Sequence, residues 1–301
     1  MIPFERLTLD KKTEYDELLR HATHRGCAYS FTNLYLWGRQ CAARVGDHLL
    51  LFSHFQGKTM YPYPAGAGEA KAAIDAIMAD AKERGIPFRL TGMTAEDKEA
   101  LEAWYPGQFR FHCCRDSNDY VYAINDLADL RGKKYQPKRN HVNRFLQEFP
   151  DASILPLTDK TLPDAEALAN RWYQRRTDEE DAGMEHVALR RAFDHYKELG
   201  MEGLVLYVGS QVVAMTMGSF LDSETVDVHF EKADTDYSGA YAVINRAFAR
   251  YIRDKYPSVK YLNREDDMGL EGLRKAKLSY HPHHLVEKCW AHLVTEEFHD
   301  Y

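Results

Sequence analysis

Three ionisable residues alternate along one short apolar segment of the chain. Asp227, His229 and Glu231 occupy every second position between Thr225 and Lys232. Because alternate side chains of a β-strand project to the same side, the pattern predicts a strand with these three groups on one face. A histidine between two carboxylates can orient an amine and accept its proton. The alternative is a polar strand face whose groups hydrogen-bond to one another beneath a helix.

A second polar group follows the next predicted strand. Asn263, Glu265 and Asp266 stand at its end, where carboxylates can bind a cationic amino group. The alternative is that these side chains cap the helix that comes next, by accepting from its unpaired N–H groups. We assign the capping role to Asp267 and keep Asn263 and Glu265 as candidates for substrate binding.

A basic segment interrupts an otherwise acidic chain. The formal net charge is −7, whereas Arg131–Arg144 carries six Lys or Arg residues and no carboxylate. Within it, Lys138, Arg139 and Arg144 are candidates for contact with phosphate, either of tRNA or of a phosphorylated acceptor, since arginine can bind phosphate through two parallel hydrogen bonds. The alternative is a solvated helix face.

Composition excludes several classes of protein. The 301 residues are 45% hydrophobic and 28% charged, as in ordinary globular domains. The longest apolar runs are too short to cross a bilayer, and the first residues lack the pattern of a signal peptide. With no CxxC pair, we predict free thiols in the reducing cytoplasm and no metal site. The cysteines are Cys27, Cys41, Cys113, Cys114 and Cys289.

The elements that must position these residues occur twice in one order. Each pass has antiparallel strands, a glycine-containing turn, a long helix, a strand, a helix and a strand. In the first pass we predict strands at Ala43–Val45, Leu49–Phe52, Thr59–Tyr63, Pro87–Thr91, Phe109–Cys114 and Tyr120–Ile124, with helices at Glu69–Arg84 and Thr94–Tyr105. In the second we predict strands at Gly203–Val208, Val212–Phe220, Thr225–Lys232, Val259–Asn263 and Leu285–Val294, with helices at Gly239–Lys255 and Glu271–Lys277. This duplication predicts two domains, 1–128 and 129–301.

This order of elements resembles the GNAT acyltransferase fold, in which a central strand parts from its neighbour and the following helix N-terminus binds the donor. Three more specific segments resemble the DUF2156 family, which is similar to the C-terminal domain of phosphatidylglycerol lysyltransferase and, more distantly, to the Fem peptidoglycan aminoacyltransferases. These segments are Tyr29–Trp37, Lys133–Phe145 and Asn263–Tyr280. The resemblance implies the α+β class. It implies tandem GNAT-like (acyl-CoA N-acyltransferase) domains, each a mixed, mostly antiparallel sheet flanked by helices, with the active site in the C-terminal domain.

The resemblance also implies roles for single residues. The strand with Glu231 would border the acceptor cleft, and we expect Glu231 to be the base, with His229 and Asp227 beside it. Lys277 and Tyr280 align with a helix end that GNAT enzymes place against the donor. Tyr280 would be a general acid for the leaving group, and Lys277 would bind the donor.

The predicted donor-binding turn departs from the acyl-CoA pattern. Ser238, Gly239 and Ala240 match its position, but of the usual motif only the glycine fits. Asp236 stands where those enzymes carry glutamine or arginine, and a carboxylate there would repel a pyrophosphate. We therefore expect aminoacyl-tRNA as the donor, since an acidic turn suits a cationic α-amino group. A coenzyme A thioester is the alternative.

Together these features predict an enzyme that moves an activated acyl or aminoacyl group to an amine or a hydroxyl. The first alternative is an acyl-CoA-dependent N-acyltransferase, and the second is a GNAT-like binding protein without catalytic activity. The expected partners are tRNA, through Arg131–Arg144, and an acceptor that is either a small molecule or a lipid-like molecule. No cofactor beyond the donor is expected.

Overall fold

The computed structural model describes residues 1–55, 58–175 and 180–295. Its chain separates into two compact units, of which one comprises Met1–Asp119 with the segment that begins at Val286, and the other Tyr120–Leu285. Each unit is built on a mixed sheet flanked by helices. This architecture confirms the predicted α+β class. None of the described helices is long and apolar enough to cross a bilayer.

The predicted helices and strands occur in the predicted order, together with elements that were not predicted, chiefly near the N-terminus and between residues 124 and 194. The N-terminal elements are β1 (Glu5–Arg6), α1 (Lys12–Leu19), α2 (Phe31–Trp37), β2 (Gln40–Val45), β3 (His48–Phe55), β4 (Lys58–Pro62), β5 (Ala65–Gly66), α3 (Lys71–Arg84), β6 (Arg89–Met93), α4 (Ala95–Trp104) and β7 (Phe109–Cys113). The next are β8 (Asp119–Ala123), α5 (Ile124–Asp129), α6 (Gln136–Glu148), β9 (Ala152–Pro156), α7 (Leu162–Gln174), α8 (Glu180–Asp194), β10 (Glu202–Val208) and β11 (Gln211–Phe220). The last are β12 (Thr225–Ala233), α9 (Ala240–Lys255), β13 (Tyr261–Asn263), α10 (Glu271–Leu278), β14 (His284–Val286) and β15 (Cys289–Leu293).

The two sheets exchange strands relative to the order of the sequence. The first sheet runs β1-β2-β3-β4-β6-β15-β7, with β5 also paired to β3, and the second runs β14-β8-β13-β12-β11-β10-β9. Strand β8, predicted to close the first half, thus belongs to the second sheet. Strand β15, from the end of the second half, lies between β6 and β7 in the first sheet and is antiparallel to both.

Burial explains why β8 belongs to the second unit. Tyr120 and Tyr122 are fully buried in the core of that unit, and Val121 pairs with Asn263 of β13. The predicted boundary at residue 128 therefore falls inside α5, within the second unit. The single strand predicted at Leu285–Val294 is divided into β14 and β15.

The cysteines differ from the prediction of free thiols. Cys113 of β7 and Cys289 of β15 stand directly opposite each other in the first sheet and form a disulfide. Cys27, Cys41 and Cys114 remain thiols. The bonded residues are 176 positions apart in sequence, so spacing alone could not indicate the pair.

The parallel strand pair of the first unit stays together at the point where an opening was expected. Tyr61 and Pro62 of β4 pair with Leu90 and Thr91 of β6, and the Tyr63 N–H donates to the Thr91 carbonyl at 2.8 Å. Pairing thus continues past the last residue of β4. The opened strand predicted before the long helix is therefore absent from this described part of the first unit.

The long helix of the second unit packs its apolar face on the sheet. Ile244, Phe248 and Ile252 are buried at helical spacing, as predicted. Gly218 of β11 makes this approach possible, because a Cβ atom there would lie 3.3 Å from the Phe248 ring and 2.5 Å from the Asp227 carbonyl oxygen.

Asp80 joins three parts of the first unit, and replacing it tests how the core of that unit is held together. The carboxylate accepts hydrogen bonds from the Tyr61 hydroxyl at 2.8 Å, Arg84 Nε at 2.7 Å and the Ile2 N–H at 2.7 Å. Burial opposes its charge, but these donors outweigh burial and lower the pKa of Asp80. We expect Asp80→Asn to lower the free energy of unfolding by about 2–4 kcal/mol, because it leaves buried donors without a matched acceptor.

Urea denaturation followed by circular dichroism measures this change. Asp47→Asn is the matched control, since the Asp47 side chain is 81% exposed and surface substitutions typically change stability by less than about 0.5 kcal/mol. Equal effects of the two variants would contradict a structural role for Asp80.

Candidate functional site

The second unit opens between β12 and β13. These strands pair in parallel only at positions 225–227 and 261–263. β13 ends at Asn263, whereas β12 continues to Ala233. The rest of β12 therefore extends past the end of its neighbour, which is the opening predicted for this unit.

A β-bulge in β12 changes the predicted alternation of side chains. Met217 and Gly218 are adjacent on β11, but their partners on β12 are Phe230 and Val228, so His229 is an extra residue. A bulge interrupts the regular alternation and re-aims the side chains that follow it. The prediction that all three ionisable residues share one face is therefore wrong beyond the bulge.

His229 forms one group, which we call the histidine cluster: Ser219, Asp227, His229 and Glu265. His229 Nε2 lies 2.8 Å from Ser219 Oγ, and Nδ1 lies 3.5 Å from an Asp227 oxygen and 3.4 Å from a Glu265 oxygen. The His229 side chain is 1% exposed, Asp227 is fully buried and Glu265 is 20% exposed. The structure thus brings together three of the predicted residues. Ser219, in the apolar run of β11, was missed.

The backbone around Glu265 is held in an unusual conformation. Glu265 has a φ of +54°, in the left-handed region that residues other than glycine seldom adopt. The Asn263 side-chain oxygen accepts the Glu265 N–H at 2.8 Å, and the Glu265 carbonyl accepts the Tyr120 N–H at 3.0 Å. Asn263, predicted to bind substrate, is thus a buried residue that positions Glu265.

Lys277 holds the same loop from the other side. Its buried ammonium donates to the carbonyl oxygens of Arg264, Glu265 and Asp266. A buried cation requires such partners because it has lost its hydration shell. Lys277 was predicted to bind the donor, but the structure places it beneath the loop that follows β13, where it is a positioning residue.

Glu231 lies in a second group, which we call the arginine cluster: Lys138, Glu231, Asn245, Arg264 and Tyr280. Glu231 accepts from Arg264 Nη2 at 2.9 Å and from Asn245 Nδ2 of α9 at 3.1 Å. The Glu231 and Arg264 side chains are 10% and 15% exposed. Burial alone would lower the pKa of Arg264, but the Glu231 carboxylate outweighs it, so that the pKa is raised. The guanidinium therefore stays charged.

Aromatic rings and a second cation complete the arginine cluster. The Arg264 guanidinium carbon lies 5.1 Å from the centre of the Tyr280 ring, and Lys138 Nζ lies 3.9 Å from the same centre. Burial, together with the charge of Arg264, lowers the pKa of Lys138. Burial raises the pKa of Tyr280 to about 12 although Arg264 opposes the shift, so the hydroxyl keeps its proton at neutral pH.

Several buried polar atoms of this region have no hydrogen-bond partner among the described residues. They are Arg264 Nη1, a donor, Asn245 Oδ1, an acceptor, and Thr216 Oγ1, on the β11 residue that pairs with Glu231. Buried polar groups are nearly always satisfied, so such atoms mark places where a ligand or an ordered water completes the structure.

The turn before α9 fits tightly against α6. Gly239 has a φ of +96°, and a Cβ atom there would lie 2.8 Å from the His141 carbonyl oxygen and 3.3 Å from Phe145 Cβ. Only glycine satisfies both conditions. Of its predicted partners in donor binding, Ser238 is exposed and Ala240 is buried.

An arginine neutralises part of the acidity of this turn. Arg175 Nη1 lies 3.0 Å from an Asp234 oxygen and 3.4 Å from an Asp236 oxygen. A pyrophosphate at this turn would therefore meet less negative charge than the sequence indicates. A cleft of about 210 Å³ adjoins the end of β12 here, lined by Leu168, Arg171, Trp172, Arg175, Ala233, Asp234 and Thr235.

The basic segment divides into engaged and exposed residues. Arg139 donates to the carbonyls of Leu130 and Gly132 and to Gln136 Oε1, so its guanidinium closes the turn before α6. Lys138 lies in the arginine cluster. Arg144 and Lys133 are exposed. Arg131 and Lys134 are exposed as well, but they pair with Asp129 at 3.2 Å and with Asp126 at 3.6 Å.

The topology and the open strand edge define the protein as a tandem GNAT-like protein of the α+β class. A family model described as "Phosphatidylglycerol lysyltransferase, C-terminal" matches residues 19–292. The chain belongs to this family, which confirms the predicted resemblance.

Solved structures share the fold of this chain. A conserved protein of unknown function from Bacteroides thetaiotaomicron VPI-5482 is 38% identical, with a TM-score of 0.91 over 97% of this chain and 100% of that chain. L-PGS from Bacillus licheniformis shares the fold at 14% identity, with a TM-score of 0.70 over 99% and 96% of the two chains. A tandem GNAT protein from the clavulanic acid biosynthesis pathway shares it at 10% identity, with a TM-score of 0.52 over 99% and 100%.

One curated relative matches part of the chain. An uncharacterized protein of Mycoplasmoides gallisepticum is 25% identical over 202 residues, which are 66% of this chain and 62% of that protein. The match therefore spans less than two thirds of the length of the relative.

Asp267 supports the loop that carries Glu265, and its ionisation can be tested. It accepts from the Tyr120 hydroxyl at 2.5 Å and from Arg274 Nε at 2.8 Å. Hydrogen bonds from Arg274 lower the pKa of Asp267 despite its burial. Its contribution to stability is therefore complete above the pKa of an unfolded aspartate, about 4, and is lost as the pH falls from there through the lower folded pKa.

Asp267→Asn should cost about 1.5–3 kcal/mol at pH 7 and flatten the loss of stability below pH 4. Urea midpoints measured at a series of pH values test both effects. Glu166→Gln, at an exposed position of α7, is the control, and an identical acid profile in both variants would argue against the role of Asp267.

Proposed function

We propose that the chain is an acyl transferase that uses aminoacyl-tRNA as donor and an amine or a hydroxyl as acceptor. One observation carries this proposal: β12 extends past β13, and its open edge is bordered by the histidine cluster and the arginine cluster. Membership of the lysyltransferase C-terminal family supports a transferase. Such a reaction needs positioning, a proton acceptor and donors to the developing oxyanion.

The unsatisfied atoms of the arginine cluster fit an aminoacyl group. Arg264 Nη1 can donate to the ester carbonyl, and Asn245 Oδ1 can accept from the free amino group. Glu231, bonded to both side chains, supplies the negative charge that a cationic amine requires. A plain acyl thioester has no amino group and would leave Asn245 Oδ1 without a partner. This difference favours an aminoacyl donor over a coenzyme A thioester.

The proposed role of Glu231 differs from that of a base. Both carboxylate oxygens already accept hydrogen bonds, one from Arg264 at 2.9 Å and the other from Asn245 at 3.1 Å. Glu231 is better suited to hold the amino group of the donor. His229 is then the candidate base, because an imidazole can accept the proton that the acceptor loses, and its Nδ1 lies 3.5 Å from an Asp227 oxygen and 3.4 Å from a Glu265 oxygen, which orient the ring.

Tyr280 is suited to protonate the leaving group. Its hydroxyl is protonated at neutral pH, and its ring lies against the charged groups of Arg264 and Lys138. A tyrosine hydroxyl can pass a proton to an oxygen that leaves as an alkoxide, such as the ribose oxygen of an aminoacyl ester.

Thermal stabilisation by donor analogues tests the proposed donor. Amide-linked 3′-aminoacylamino-adenosines retain the amino group and carbonyl but cannot transfer the amino acid. At 100 times Kd such an analogue should add about 2.7 kcal/mol to the stability of the native chain. We expect Glu231→Gln to abolish this gain and Glu166→Gln to preserve it.

Two control ligands separate the outcomes. The N-acetylated analogues lack the cationic amine and should stabilise much less. Stabilisation by coenzyme A, with none by the analogues, would replace the proposed donor by an acyl thioester. No gain from either class of ligand would favour a binding protein of another kind.

The exposed cations of the basic segment are the proposed contact with tRNA. Replacing Arg131, Lys133 and Arg144 together by Ala should weaken tRNA binding and reduce its logarithmic salt slope by roughly 0.7–0.9 for each phosphate that the variant no longer binds. Lys160→Ala, at an exposed position outside the segment, should leave the slope unchanged. Filter binding over a range of salt concentrations measures both, and an unaltered slope in the triple variant would assign the segment to a solvated surface.

A further inference from the structure

A thiol, an amine and a carboxylate meet inside the first unit. Cys27 Sγ lies 3.4 Å from Lys288 Nζ and 3.4 Å from Asp119 Oδ1. Lys288 Nζ lies 2.5 Å from the same Asp119 oxygen. Three segments that are distant in sequence thus place a nucleophilic sulfur within van der Waals distance of a primary amine.

The backbone around these residues is arranged to bring them together. The Cys27 N–H donates to Asp119 Oδ2 at 2.7 Å, and the Gly26 N–H donates to His24 Nδ1 at 2.9 Å. A Cβ atom at Gly26 would lie 2.5 Å from the His24 ring and 3.1 Å from Asp119 Oδ2, so only glycine allows this approach. The Lys288 N–H in turn donates to the Asn118 side-chain oxygen at 3.1 Å.

The sulfur lies between two groups of opposite effect: the Asp119 carboxylate accepts the S–H and can take its proton but opposes a thiolate by its charge, whereas the Lys288 ammonium favours one. An adjacent ammonium stabilises a thiolate, and the thiolate is the form that attacks peroxides. Asp119 holds the ammonium in place and can accept its proton. Cys27 is buried, and the Lys288 side chain beside it is 15% exposed.

We propose that Cys27 and Lys288 form a reversible covalent cross-link when the protein meets a hydroperoxide. The thiolate attacks hydrogen peroxide to give a sulfenic acid and hydroxide, so that sulfur is oxidised and the peroxide is reduced. The Lys288 nitrogen then attacks the sulfenic sulfur. An S–N bond forms, the S–O bond breaks, oxygen leaves as water, and the surplus proton of the ammonium passes through Asp119 to solvent.

The other thiols lack this arrangement. Cys114 is exposed and Cys41 is half-buried, and neither has a lysine amine in hydrogen-bond contact among the described residues. Cys289, the neighbour of Lys288, is already bonded to Cys113. The pairing of Cys27 with Lys288 therefore depends on the position of the amine and not on the general reactivity of thiols.

Mass spectrometry of the full-length chain tests the cross-link. The protein is treated with hydrogen peroxide, its remaining thiols are alkylated, and it is digested with trypsin without reductant. We expect the peptide of Cys27 linked to that of Lys288, two hydrogen atoms lighter than their sum, with no cleavage after Lys288. Dithiothreitol should release both peptides unchanged in mass.

Variants distinguish the proposed link from general oxidation. Lys288→Arg keeps the charge beside Asp119 but lacks a nucleophilic amine, so it should lose the link and leave Cys27 as a sulfenic or higher acid. Cys27→Ser should lose it as well, whereas Cys114→Ser should retain it. Circular dichroism establishes that each variant is folded.

Three results would overturn the proposal. They are quantitative alkylation of Cys27 after peroxide, oxidation of Cys27 to sulfinic acid with Lys288 still cleaved by trypsin, and a bond from Cys27 to Cys289 through disulfide exchange. None of them bears on the donor or acceptor of the proposed transferase, because the cross-link is measured without substrate.

Discussion

The short parallel contact between β12 and β13 is the constraint on which the second unit depends. After position 227 the two strands separate, and the main chain beyond Asn263 must turn away without the support of a neighbouring strand. The protein supports this turn with side chains. Lys277 donates to successive carbonyl groups of the loop, and Asp267 fixes it to Arg274. Without that support, neither Glu265 nor Arg264 would have a defined position.

The charged residues around the opening serve two physical roles. In the first role, the charged group donates hydrogen bonds to the protein's own backbone: Lys277 donates to carbonyl groups of the loop, and Arg139 closes a turn. In the other, hydrogen-bonding capacity is left over, as in Arg264 and Asn245, which bind Glu231 yet each retain one unsatisfied atom. Residues of the second kind are the better candidates for ligand contact, because a ligand can form the hydrogen bonds that the folded chain leaves unmade.

The sequence predicts the elements of this protein well and its long-range contacts poorly. Helix α9 follows from the spacing of Ile244, Phe248 and Ile252, and strand β12 from its alternation. The bulge at His229 is invisible to that alternation, because it arises from the register with β11 and not from the residues of β12 alone. For the same reason the sequence predicts that Lys277 binds the donor. Its type and position are those of a binding residue, and only the path of the loop shows what it contacts.

The exchange of β8 and β15 between the sheets has a consequence for the newly made chain. The strands of the second sheet, β8 to β14, have all been synthesised once Val286 is added, whereas β6 and β7 of the first sheet must wait for β15. Cys289, which pairs with Cys113, is 176 residues later in the chain, a delay on the order of ten seconds or more at usual rates of translation. During that time the edge of β6 is open to unwanted partners. The N-terminal sheet can therefore be completed only after every strand of the second sheet has been synthesised.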